Sequence, residues 1–210
     1  PTINNISLDL KYPKYLGRRN ETIENSGNLT VAEGTNITWK VQTSQTDNLA
    51  FINNTKRENF TNISDDNFEY QKRIKNALNY QISSSNKNLQ DYENLQFSVD
   101  VVKDEYPLIS VSSNIDSISR GTSQFAGQIS DDYGIRKLEL IYYNEDDSNN
   151  KQNFRLQITK QNIQTFFYEF PEGLHLQNGI NYEMFFQVFD NDAVNGNKKA
   201  KSKVFKYRQK

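Results

Sequence analysis

Along the whole chain apolar residues recur at every second position, and no segment keeps them at helical spacing for more than a turn or two. Side chains alternate between the two faces of a strand, so this pattern restricts the chain to half-buried β-strands and makes the fold all-β. The second half holds seven such runs, at 107–113, 123–130, 135–143, 153–160, 163–170, 182–190 and 201–208. Turn-forming stretches separate them, among them SRGT at 119–122, SDDYG at 130–134 and NDAVNGNKK at 191–199. Seven strands with a turn every ~8–12 residues are the pattern of an immunoglobulin-like sandwich. Tyr182 opens the sixth run after a Leu- and Gly-containing loop. Such sandwiches place a tyrosine there whose hydroxyl bonds back to the loop before it.

The first half is weaker in pattern but similar in kind, with runs at 5–13, 28–31, 36–43, 48–51, 67–74, 78–85 and 95–103. Trp39 alternates inward with Ile37 and Val41 and reads as a core plug. The polar stretch at 54–67 reads as a hairpin or loop. A chain of 210 residues exceeds the ~100–150 of one ordinary domain. Residues 1–103 and 104–210 are therefore expected to form two tandem immunoglobulin-like (fibronectin-III-like) antiparallel β-sandwiches. The join, Asp104 to Pro107, spans at most roughly 13 Å, and Pro107 fixes one backbone angle, which implies a semi-rigid rod.

Composition removes several function classes. The 25 Lys and Arg nearly balance the 26 Asp and Glu, so no chain-wide basic field exists to displace counterions from a nucleic acid. There is no Cys, and His175 is the single histidine, which excludes thiol nucleophiles, cysteine zinc sites and any site needing two histidines. No run approaches the ~18 apolar residues that cross a bilayer, so direct membrane insertion of this segment is not expected.

Two groups of residues carry the remaining chemistry. In immunoglobulin-like order the loop after the second strand and the loop before the last strand share one end of the sandwich, which lets Asp131, Asp132, Asp190 and Asp192 converge. Four converging carboxylates suit Ca²⁺, a hard cation with six to eight oxygen ligands. The competing reading is that each Asp bonds the backbone of its own turn, with Gly134 and Gly196 supplying positive φ. The second group is aromatic. Neighbouring strand residues point to opposite faces, so Phe166/Phe167, Phe185/Phe186 and Tyr142/Tyr143 each imply one ring outside the core. Tyr143, Phe167 and Phe186 are the candidate binding surface.

The stretch YPKYLGRRNETIENSGNLTVAEGTNITWKVQT resembles the opening of immunoglobulin-like repeats in large membrane-anchored Gram-negative bacterial proteins of unknown function. ISDDYGIRKLELIYY and YEMFFQVFDNDAVNGNKK are similar to a later repeat of the same proteins. The resemblance covers essentially the whole chain and rests on fold signatures. It implies an extracytoplasmic segment, in the periplasm or at the cell surface, and it carries over no catalytic residue. The expectation is thus a non-enzymatic spacer and interaction module with no cofactor, whose partner is a protein or a glycan. The alternative is a carbohydrate-binding module that uses calcium or an aromatic platform.

Overall fold

The computed structural model describes residues 1–54, 56–114 and 122–208. The SRGT turn expected at 119–122 lies, but for its last residue, outside those residues. The chain divides into two compact units, Pro1–Asp104 and Glu105–Lys210. Each is a sandwich of two sheets.

The first unit contains β1 (Thr2–Lys11), β2 (Glu21–Glu24), β3 (Leu29–Ala32), β4 (Thr35–Ser44), β5 (Asn48–Asn53), β6 (Lys56–Asn59), β7 (Thr61–Ser64), β8 (Asn67–Ile74), β9 (Leu78–Ser85) and β10 (Glu93–Val102). One sheet has the order β2-β1-β4-β8-β7 and the other β3-β10-β9-β5-β6. Neighbouring strands run antiparallel except β3, which lies parallel to β10 from Leu29 opposite Val99 to Ala32 opposite Val102. This strand order is immunoglobulin-like.

Trp39 is fully buried between the sheets, edge-on to Phe51 and Tyr80 at 5.1 and 5.5 Å. Its Nε1 donates to the Tyr80 hydroxyl at 2.9 Å, and that hydroxyl donates to the Gly27 carbonyl at 2.6 Å. The sole tryptophan is therefore a core plug with its one polar atom satisfied.

The second unit contains β11 (Leu108–Ser113), β12 (Ser123–Ser130), β13 (Ile135–Asn144), β14 (Gln152–Leu156), β15 (Ile163–Phe170), β16 (Tyr182–Asp190), β17 (Lys199–Lys201) and β18 (Phe205–Tyr207). A three-stranded sheet, β11-β12-β15, faces a sheet of order β14-β13-β16-β17, with β18 also paired to β16. That division of strands is fibronectin-III-like. Phe125, Leu140, Phe166, Met184 and Phe186 fill the space between the sheets. The Tyr182 hydroxyl accepts the N–H of Gln177 at 3.0 Å, so the expected tyrosine corner is present.

The run expected at 201–208 is two short strands. Between them Ser202 turns in, its Oγ accepting the N–H of Phe186 at 2.9 Å and its own N–H bonding the Phe186 carbonyl at 2.9 Å. A side chain takes the place of one backbone rung there. The stretch expected as a hairpin or loop at 54–67 contains β6 and β7, which pair antiparallel with β5 and β8.

Candidate functional site

The loops after β12 and after β16 meet at one end of the second unit. Asn191 ties them together, its N–H donating to the Gly134 carbonyl at 3.0 Å and its Nδ2 to the Tyr133 carbonyl at 2.9 Å. Gly134 has φ +132, and a Cβ there would come within 2.9 Å of the Asn191 amide, so this clasp needs glycine.

Three of the four candidate aspartates are buried at this end, and each works on local backbone. Asp131 Oδ2 accepts the N–H groups of Tyr133 and Gly134 at 3.0 and 2.8 Å. Asp190 Oδ1 accepts the N–H of Asp192 at 3.1 Å. Asp192 Oδ1 accepts the N–H groups of Val194 and Asn195 at 2.7 and 3.2 Å, while its Oδ2 binds Asn195 Nδ2 at 2.8 Å and Lys198 Nζ at 3.0 Å.

Asp132 does not join them. Its side chain is exposed, and only its backbone carbonyl is used, by Asn162 Nδ2 at 2.8 Å. Adjacent residues on a turn point apart, so four-way convergence gives way to three.

Burial pushes the carboxyls of Asp131 and Asp190 above their ordinary range, against the pull of backbone N–H groups and Lys198. Burial is also the largest influence on Asp192, yet Asn195, Lys198 and the two N–H groups together hold it below its ordinary value. The Lys198 side chain is almost fully buried beside it, an internal cation six residues along the same loop. Both Asp192 oxygens are engaged, whereas Asp131 Oδ1 and Asp190 Oδ2 have no hydrogen-bond partner among the described residues. Asp190 and Asp192 each offer a carboxylate oxygen within 4.8 Å of the other, close enough to share an ion, but the Asp192 carboxylate already has the Lys198 ammonium as its counter-charge.

The geometry thus favours turn-building over ion binding. Millimolar Ca²⁺ in place of chelator should move the thermal midpoint by no more than about 1 °C. A rise of roughly 4 °C or more, the size of a kilocalorie in a domain of this length, would overturn that.

The aromatic candidates separate sharply. Phe167 projects from β15 with 79% of its surface exposed. Phe186 is fully buried between the sheets and presents no ring to a partner. Tyr143 is also buried, as is Phe185, although both lie on the outer side of their sheet. The expectation of one free ring per pair fails there because charged neighbours lie over these rings. Lys201 sits 5.1 Å from the Phe185 ring, Lys151 5.3 Å from Tyr143 and Lys137 4.2 Å from Phe189. Long basic side chains bury their stems on such rings while their ammonium groups stay wet.

The opposite outer face is built otherwise. Strands β11, β12 and β15 contain no Lys or Arg, and Glu169 is their one charged residue. Cross-strand register places Ile163, Ser130 and Leu108 in one row and Phe167, Ala126 and Ser112 in another. Leu108 and Ile163 are 68% and 63% exposed. A groove of about 670 Å³ runs beside Phe167, lined also by Asn114, Gln124, Glu169 and Glu172. Sequence reading missed Leu108, Ile163 and the groove. The available signal was that every strand of this sheet lacks a cation, whereas in the other sheet all but the central β16 carry one or more.

A sequence profile described as Domain of unknown function (DUF4175) matches residues 8–165, which reach into both units. The chain belongs to the DUF4175 family. Among solved structures, the DUF4175 chain is similar to a multidomain segment of titin at 14% identity, over 98% of this chain and 67% of that one, with a TM-score of 0.33. It is also similar to fibronectin(III)-like modules of CbhA from Clostridium thermocellum, at 12% identity, 87% and 88% coverage and a TM-score of 0.30. No curated protein matches the sequence.

Proposed function

We propose that this DUF4175 chain is a non-enzymatic spacer within a larger extracytoplasmic, membrane-anchored envelope protein, and that it presents the outer face of β11-β12-β15 to a protein partner. One observation carries the reading. The second unit covers the rings on one outer face with lysines and leaves Phe167, Ile163 and Leu108 bare on the other. Phe167 stands beside a groove, and a large ring left 79% exposed there, where the other face covers its rings, is the surface feature that points to a partner. The lack of Cys and the single, exposed His175 support a role without catalysis.

A photo-crosslinking phenylalanine analogue at position 167 of the full-length protein in its own host tests this. A discrete protein adduct is expected from position 167 and none from position 155, which is exposed on the other sheet. No adduct, or equal adducts from both positions, would remove the reading.

The Phe167 ring beside the amides of Asn114 and Gln124 also favours a second reading, an aromatic platform for a glycan. Glycan-array binding that disappears in Phe167→Ala would select it.

A further inference from the structure

We propose, on the basis of the protein-partner reading, that the Phe167 groove takes a lysine or arginine side chain of the partner, seated over the ring and beside the carboxylates of Glu169 and Glu172. Elsewhere the chain repeatedly groups a ring, a carboxylate and a cation. Arg18 lies 3.9 Å from the Tyr12 ring and 3.4 Å from Glu21, whose carboxylate also accepts the Tyr12 hydroxyl. Lys137 lies 4.2 Å from the Phe189 ring and 2.9 Å from Glu139. Tyr143 donates to Glu183 at 2.9 Å, with Lys206 3.0 Å from that carboxylate and Lys151 over the ring.

At Phe167 the ring and the carboxylates are present, and the described residues supply no cation beside them. Glu169 follows two residues along the same strand face, and Glu172 lines the same groove. Among the described residues no Lys or Arg lines the groove, and none occurs on the three strands that form the face. A basic side chain satisfies both ring and carboxylates, so charge complementarity selects a basic protein segment.

Amide chemical shifts of the isotope-labelled chain, titrated with tetra-arginine, tetraglutamate and maltohexaose, test the assignment. Tetra-arginine is expected to shift the amides of Gln124, Phe167 and Glu169 saturably, and the other two probes to leave them in place. Phe167→Ser should weaken that binding about two- to fivefold, because the ring supplies the contact. The pair Glu169→Gln and Glu172→Gln should weaken it about fivefold or more and flatten its salt dependence. Phe167 and Glu172 are exposed and Glu169 is half-buried on the outer face, so none of the three substitutions reaches the core. Undiminished binding in Phe167→Ser would show diffuse attraction and overturn the assignment, as would a response to maltohexaose alone. A crosslinked adduct at position 167 with no response to tetra-arginine removes this inference and leaves the parent reading standing. Absence of the adduct removes the parent reading itself.

Discussion

Replacing Asp192 by alanine is expected to destabilise the second unit by about 3–5 kcal/mol, the size of breaking a buried ion pair from one side. The side chain is fully buried, and its two oxygens accept two backbone N–H groups, the Asn195 amide and Lys198 Nζ. Alanine leaves both N–H groups of the turn without that acceptor and withdraws the carboxylate 3.0 Å from a buried ammonium. Amide hydrogen exchange of strands β13 and β16 reads this unit by itself. Asp132→Ala is the matched control, and as an exposed substitution it should stay within about 0.5 kcal/mol. A loss below about 1 kcal/mol for Asp192→Ala would mean that the turn holds without its carboxylate.

Acid affects the buried aspartates with opposite signs. Asp192 has a folded value below its ordinary one, so its contribution is present above the unfolded-state value and is lost as pH falls through the folded value. Asp131 and Asp190 have raised values. Their burial lowers stability as pH rises between the unfolded and folded values, and acid relieves that cost.

Trp39→Ala should have a comparable effect in the first unit, about 3–5 kcal/mol, since it empties the volume of the largest core side chain. It also removes the donor to the Tyr80 hydroxyl. Tyr80→Phe separates the two contributions, because it keeps the ring and deletes the hydroxyl linking Trp39 Nε1 to the Gly27 carbonyl. That variant should cost about 1–3 kcal/mol, the penalty for leaving buried polar groups unsatisfied. Burial holds the Tyr80 phenol above its ordinary value, so the hydroxyl stays protonated and able to donate. Urea midpoints followed by β-sheet circular dichroism measure both. A Trp39→Ala loss under about 1 kcal/mol would show a core that refills the space.

The strands that were legible from sequence are those whose two faces differ. The runs 67–74, 78–85, 123–130, 163–170 and 182–190 coincide with β8, β9, β12, β15 and β16, each of which has one face in a core. ETIE, KREN and TNIS, which form β2, β6 and β7, bury almost nothing. They are held by backbone pairing to a neighbour, which leaves no trace in hydropathy. The run 153–160 stops at Leu156, and Gln164 caps the loop that follows by accepting the N–H of Thr159 at 2.7 Å.

The candidate site was legible only where one strand decides the outcome. Phe167 is exposed because its own face of β15 is open. The burial of Tyr143 depends instead on Lys151 in a loop, and that of Phe185 on Lys201 across the sheet. Such cover is a property of register, which period-two alternation does not contain.

The parallel pairing of β3 with β10 determines how the first unit bears tension. When the ends of this unit are drawn apart and β1 has been pulled away, β3 is dragged toward one end and β10 toward the other. Because the two strands run in the same direction, they slide along their shared axis, and the pairings from Leu29 opposite Val99 to Ala32 opposite Val102 are loaded together. A hairpin pulled from its open end loses one rung at a time. A sheared ladder holds until its rungs fail as a group, so once β1 has given way the β3–β10 pairing resists as one unit.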